Sequence, residues 1–262
     1  MATSKHFTVE IKPTIPGERQ AAGSASYSDN DVLFDWEPFQ IPKGAARLLS
    51  IAIIMRGKDG GAQESKDIDF FFAKTVDGVA PATLGNSNAT ASAAPVVANH
   101  MIGWTHIDSG GDFGGRTLDH FSAGATGSGA VGSNIPAIVL EGEPNSGTNV
   151  GFDTLYIAAT CAEANISFGT TVFVRGAITA DNTTTIPTDA GSDDDPNAEN
   201  VFAVGDVIET GTGDTVGTIS SISAFDTNHQ DIILTANNVE AIADDEELFN
   251  VNPIRVILSF ER

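Results

Sequence analysis

The side chains that could carry chemistry in this chain are few, and their spacing serves it poorly. Five histidines occur, at His6, His100, His106, His120 and His229. His100 and His106 stand six residues apart across a turn and a strand rather than on one helix face, and match no zinc-ligand spacing. His106 or His120 with Asp108, Asp112 or Asp119 is the combination that could gather imidazole and carboxylate around a metal, set against the plainer expectation of satisfied or exposed histidines. The runs Asp193–Asp195 and Asp244–Glu247 offer the oxygens a hard cation such as calcium prefers. No EF-hand loop surrounds either run, so both are expected to be solvated acidic turns.

Nucleophiles fare no better. Cys161 is the single cysteine, which excludes an internal disulfide and a cysteine-based zinc site. It ends the apolar run Leu155–Cys161 with no basic residue nearby, as a small buried hydrophobe would. No Gly-x-Ser-x-Gly elbow occurs. Gly110–Gly115 has four glycines but lacks the lysine and following helix of a phosphate loop, and reads as a hairpin or loop. Asp69, Asp108, Glu141 and Asp153 lie on or beside predicted strands, where only the fold could pair them for glycoside cleavage. The sequence therefore assigns no catalytic residue, no cofactor-binding residue, no metal ligand and no cofactor.

Charge narrows the partners. The formal net charge is −22, a surface that repels nucleic acid phosphates and anionic membranes. Residues 181–250 hold sixteen Asp or Glu and no Lys or Arg, so they supply −16 of it. The other segments carry 19 acids against 13 bases. That asymmetry marks a boundary. Met1–Phe7 has no apolar signal core, and no apolar run nears the roughly 18 residues of a membrane helix. Synthesis in the cytoplasm, with neither nucleic acid nor membrane as partner, is the expectation.

The elements that must position these residues are strands. Phe7, Val9 and Ile11 alternate with polar residues until Pro13, and Val32, Phe34 and Trp36 share one face of a second strand. Leu48–Met55 is continuously apolar, predicting burial on both faces. Ile68–Ala73, Met101–Ile107 (with Trp104 and His106 in phase), Ala137–Leu140, Leu155–Thr160, Thr171–Arg175 and the clean alternation of Pro253–Phe260 follow. The stretches Pro81–Ala98 and Ser122–Ser133 read as loops. Most of the fifteen Phe residues are expected in the core.

Within the acidic segment, Gly205–Ile208, Thr215–Ile222 and Asp231–Thr235 predict three short strands, and Asn238 is placed to cap a short helix over Val239–Glu247. The expected architecture is an all-β, antiparallel, jelly-roll-like sandwich with a small inserted SH3-like β-barrel module. The sandwich spans residues 1–180 plus 251–262, the acidic module 195–250, with a linker over 181–194.

Three segments resemble small virion structural proteins of marine tailed phages, including cyanophages. They are Asp31–Leu48, Asp69–Thr75 with Ala82–Gly85, and the acidic barrel ending in Asn252–Arg262. The resemblance implies a non-enzymatic virion component, a decoration or cement protein on the capsid exterior. Its implied partners are the major capsid protein and neighbouring copies of itself, as a homotrimer. A tail, fibre or baseplate component with a glycan-binding module is the alternative. The resemblance carries no functional residues with it.

Overall fold

Alternation does most of the work in building the strands. In the computed structural model, residues 5–21, 26–56, 67–92, 95–107, 118–124, 138–143, 152–164, 166, 168, 172–189, 197–226 and 228–262 are described. The strands are β1 (His6–Ile11), β2 (Val32–Pro42), β3 (Ala46–Arg56), β4 (Ile68–Lys74), β5 (Met101–Ile107), β6 (Leu118–Gly124) and β7 (Val139–Leu140). They continue with β8 (Phe152–Cys161), β9 (Thr185–Asp189), β10 (Val207–Thr210), β11 (Thr215–Ile222), β12 (His229–Leu234), β13 (Leu248–Asn250) and β14 (Ile254–Glu261). Three single turns of helix join them: α1 (Gly17–Ala21), α2 (Pro95–Ala98) and α3 (Ala198–Val201).

The chain is an all-β protein whose main body is an antiparallel sandwich. One sheet runs β1-β14-β3-β6, with β7 also paired to β3; the facing sheet runs β2-β8-β4-β5. Ile51, Ile53, Val256, Leu258 and Phe260 from the first sheet meet Phe34, Phe70, Phe72, Leu155 and Ile157 from the second in one core. Each such side chain contributes roughly 1.5–3 kcal/mol on burial. β14 alternates without fault, with Ile254, Val256, Leu258 and Phe260 buried between β1 and β3.

β3 departs from expectation. Leu48, Ile51 and Ile53 are buried, whereas Ala52 and Ile54 on the other face are only half-buried. Its apolarity reflects a central position in its sheet, with one face left partly open. The loop expected from Ser122 begins later, because Ser122–Gly124 completes β6 alongside Ser50–Ala52 of β3. Residues 125–133 lie outside the described residues.

A third sheet, β13-β10-β11-β12-β9, wraps a separate core that includes Val174, Ile186, Ile208, Val216, Ile232 and Leu248. Residues 172–175 join its two edges. The Val174 N–H donates to Glu246 O (2.9 Å) and Leu248 N–H to Val172 O (3.0 Å), while Asp189 N–H donates to Phe173 O (3.0 Å). The sandwich strand expected just before the acidic segment, Thr171–Arg175, is thus seen over 172–175 to close the acidic barrel instead.

The expected linker also belongs to this barrel. Residues 181–189 lead into and form β9, which pairs with β12 from His229↔Asp189 to Ile233↔Thr185. Pro187 lies within this strand, yet it removes no bond to β12. Its carbonyl accepts from Arg175 N (2.8 Å), so its nitrogen faces the same, sparsely paired side. The helix expected over Val239–Glu247 does not form, because Ile242 exchanges both backbone hydrogen bonds (2.8 Å each) with Ile178.

A clamp fastens barrel to sandwich. The Ile15 N–H donates to Val251 O (2.8 Å), and the buried Gln20 amide donates to Ile15 O (2.6 Å) and Asn250 O (2.8 Å). Asn250 in turn donates to Asp206 Oδ2 (2.8 Å), and Gly17 N–H donates to Glu209 Oε2 (2.8 Å). A Cβ at Gly17 would sit 2.4 Å from the Thr210 carbonyl oxygen, so only glycine allows α1 this approach.

Candidate functional site

The outer face of the β2-β8-β4-β5 sheet carries the concentration of polar and apolar groups that best fits a site. Antiparallel register sets Asp69 of β4 between His106 of β5 and Thr160 of β8, in one cross-strand row. The next row sets Phe71 between Trp104 and Ala158. Directly opposed residues share a face, so both rows point away from the sandwich core. Over part of this face lie residues 82–92 and 95–97, where Leu84 and Val97 pack on Val32 and Ala158. Trp36 helps pin them, its indole N–H donating to Ala82 O (2.9 Å).

Between those residues and the sheet lies a cleft of about 390 Å³. Phe71, Leu84, Val97 and Met101 make it largely apolar, while Asn30, Asp69 and Thr160 bring polar groups to it. Asp69 Oδ1 accepts a bond from the His106 ring (Nδ1, 2.8 Å), and the other ring nitrogen lies 3.7 Å from Asp67 Oδ2. Asn30 is held in a left-handed conformation (φ 68°) by bonds from its N–H to Cys161 O (2.8 Å) and from Ala91 N–H to its carbonyl (3.0 Å).

No protein-family model matches this chain, and no curated protein or solved structure matches it.

What the arrangement can do is therefore argued from its own chemistry. The structure pairs His106 with Asp67 and Asp69. Asp108 and Asp112 lie outside the described residues, as do the side chains of Asp119 and His120. His100 is buried, with Nδ1 3.0 Å from Lys74 O. Among the described residues, no group of three or more His, Cys, Asp or Glu is arranged to hold a metal. Nor is any helix among them long and apolar enough to cross a membrane.

Carboxylates are spent on the backbone. Asp244 Oδ1 accepts from Gly176 N–H (2.6 Å) and Glu246 Oε2 from Ala243 N–H (2.7 Å), fixing the turn expected to bind or face solvent. The run Asp193–Asp195 lies outside the described residues. Glu143 Oε2 accepts from Gly78 N–H (2.9 Å), which holds its carboxyl below the usual carboxylate range. Asp153 is buried at 2% exposure, with Oδ2 accepting from Gly44 N–H (3.0 Å). It stands beside Ile41 on β8, seven residues from the Thr160 that faces Asp69. At about 3.3 Å per residue the two carboxyls are roughly 23 Å apart, far beyond the roughly 5–9.5 Å of a glycosidase pair.

Cys161 is fully buried in the sandwich core, and burial drives its thiol well above its ordinary pKa, with Asp31 adding to the effect. Iodoacetamide at pH 8 is expected to leave it unmodified in the folded protein and to label it fully in urea. Rapid labelling of native protein by mass spectrometry would contradict this burial.

Sequence reasoning saw Trp104 and His106 in phase on one strand but not the cleft. The cleft depends on residues 82–92 and 95–97 lying over the sheet, which no local pattern announces.

Proposed function

We propose that this protein is a non-enzymatic structural component of a virus particle, a decoration or cement protein on the outside of a tailed-phage capsid. The observation that carries the reading is the segregation of charge onto a barrel with its own core. Residues 181–250 contribute −16 without a single Lys or Arg. The barrel is held to the sandwich by the Ile15, Gly17 and Gln20 clamp rather than by a free linker.

Such a body has two unlike ends. The acidic barrel suits a surface turned away from the shell and its packaged nucleic acid, where like charges on neighbouring copies also keep particles dispersed. The sandwich is closer to neutral and leaves Ala52, Ile54 and Ile257 half-buried on the outer face of its first sheet, an apolar strip for docking on the major capsid protein or another copy. Binding that occurs only on the assembled shell stabilises the shell by mass action. A homotrimer, as the resemblance implies, would close such contacts among copies. The described carboxylates that fix turns, and the wide separation of Asp69 from Asp153, give no support to a catalytic reading.

Gold labelling of intact particles with an antibody to this chain tests the proposal, with its ratio to the shell protein measured by mass spectrometry. An even label over the head at a fixed ratio is the expected result. Label confined to the tail would move the protein to a tail, fibre or baseplate role, and particles without label would sink both.

A further inference from the structure

We propose that the cleft on the outer face of the β2-β8-β4-β5 sheet is a saccharide site that takes a single pyranose ring. Its volume, about 390 Å³, falls within the roughly 300–1,000 Å³ range of small-molecule pockets. Its composition selects the ligand. Phe71, Leu84, Val97 and Met101 supply an apolar bed, as the C–H face of a sugar requires.

The polar groups are of the kinds that bind hydroxyls. Thr160, only 5% exposed, both donates and accepts; the Asn30 amide does the same through two atoms; Asp69 accepts. Among the described residues, neither the Asn30 amide nor the Thr160 hydroxyl has a hydrogen-bond partner, and Asp69 uses only Oδ1, toward His106. That leaves Asp69 Oδ2 to accept a sugar hydroxyl in a charge-assisted bond. The His106 contact orients the carboxylate, and the Asn30 backbone is already tied to Cys161 and Ala91, so little freedom is lost on binding.

Trp104 adds a wall. Its side chain is 52% exposed, on the same sheet face as Phe71 and directly across from it. A flat indole beside an apolar bed suits the second face or edge of the ring. An organic cation is the rival occupant, since Asp69 is charged and Trp104 aromatic. The neutral groups decide between them. Thr160 and Asn30 each offer donors that a cation cannot use, and Asp69 already accepts one bond from His106.

The test is a titration of the ¹⁵N-labelled full chain, followed by amide shifts, with methyl glycosides of glucose, galactose, mannose and N-acetylglucosamine. Benzyltrimethylammonium serves as the cation arm. At least one glycoside is expected to shift the Asn30, Phe71 and Thr160 amides saturably, with Kd in the millimolar range, while barrel amides stay still. Thr160→Val and Asp69→Asn should each weaken it roughly threefold to tenfold without altering the remaining spectrum. Asp69→Asn keeps an oxygen for His106, so a folded variant is retained. The proposal fails if no glycoside moves these amides, if only the cation does, or if both variants bind as tightly as the parent.

Discussion

Phe260→Ala is expected to cost the sandwich about 3–5 kcal/mol, the usual range for truncating a fully buried aromatic ring. Phe260 has no exposure and sits on β14, between β1 and β3. Its ring stacks on Phe7 of β1 (5.2 Å between centroids) and on Phe39 of β2 (6.3 Å). Phe39 belongs to the opposite sheet, so alanine here would open a cavity spanning the sandwich and strip two other rings of a partner. Phe260→Leu keeps most of the volume and should cost under about 2 kcal/mol.

The readout separates the two cores. Trp36, Trp104, Tyr27 and Tyr156 all lie in the sandwich, and residues 172–250 contain neither Trp nor Tyr. Urea unfolding followed by tryptophan fluorescence therefore reports the sandwich alone. The midpoint of that transition should fall steeply for Phe260→Ala and modestly for Phe260→Leu. A loss below about 1 kcal/mol for the alanine variant would mean that β14 does not organise this core.

How much of this was readable beforehand depended on whether a local signal agreed with the tertiary partner. β14 was, because period-two alternation and a single buried face agree over its whole length. The sandwich and an acidic β module followed from such strands and the charge boundary. The limits of the module did not. Residues 172–175 look like one more strand of the sandwich, and only their long-range bonds to residues 187–189 and 245–248 assign them to the barrel. Residues 181–194 looked like linker, while the inward alternation of Ile186 and Thr188 was the usable sign of β9. β6 was hidden because Leu118–Gly124 is short of apolar residues, and its existence rests on the neighbouring β3. The candidate cleft was half legible. The phase of Trp104 and His106 was visible, but Thr160 arrives from a distant segment by sheet register and Asn30 by its backbone bonds to Cys161 and Ala91.

Asn238 shows the same competition inside the barrel, and carries the other large effect. Its side chain looked like a helix cap, but the structure uses it to tie the 179–183 turn to the bend at Glu240. Oδ1 accepts from Asn182 N–H (3.3 Å) and Thr183 N–H (3.1 Å), and Nδ2 donates to Thr179 O (2.8 Å) and Glu240 O (2.7 Å). The residue is fully buried. Asn238→Ala abandons all four bonds, and since Asn182 and Glu240 are exposed enough for water to replace part of them, a loss of about 2–4 kcal/mol is expected.

Asn238→Asp sharpens the test through pH. The carboxylate would keep the two N–H donors but face the Thr179 and Glu240 carbonyls while buried, which raises its folded pKa above the unfolded value of about 3.9. A raised folded pKa means that the stabilising contribution is full below the unfolded value and is lost as pH rises through the folded one. The stability gap between Asn238→Asp and the parent, each measured at the same pH, should therefore be large at pH 7 and shrink toward pH 4. Hydrogen exchange at Ile186, Ile232 and Leu234 of the barrel core gives that gap directly. An alanine variant within about 0.5 kcal/mol of the parent, or an aspartate gap that ignores pH, would show that the turns hold themselves and that Asn238 merely fills the space between them.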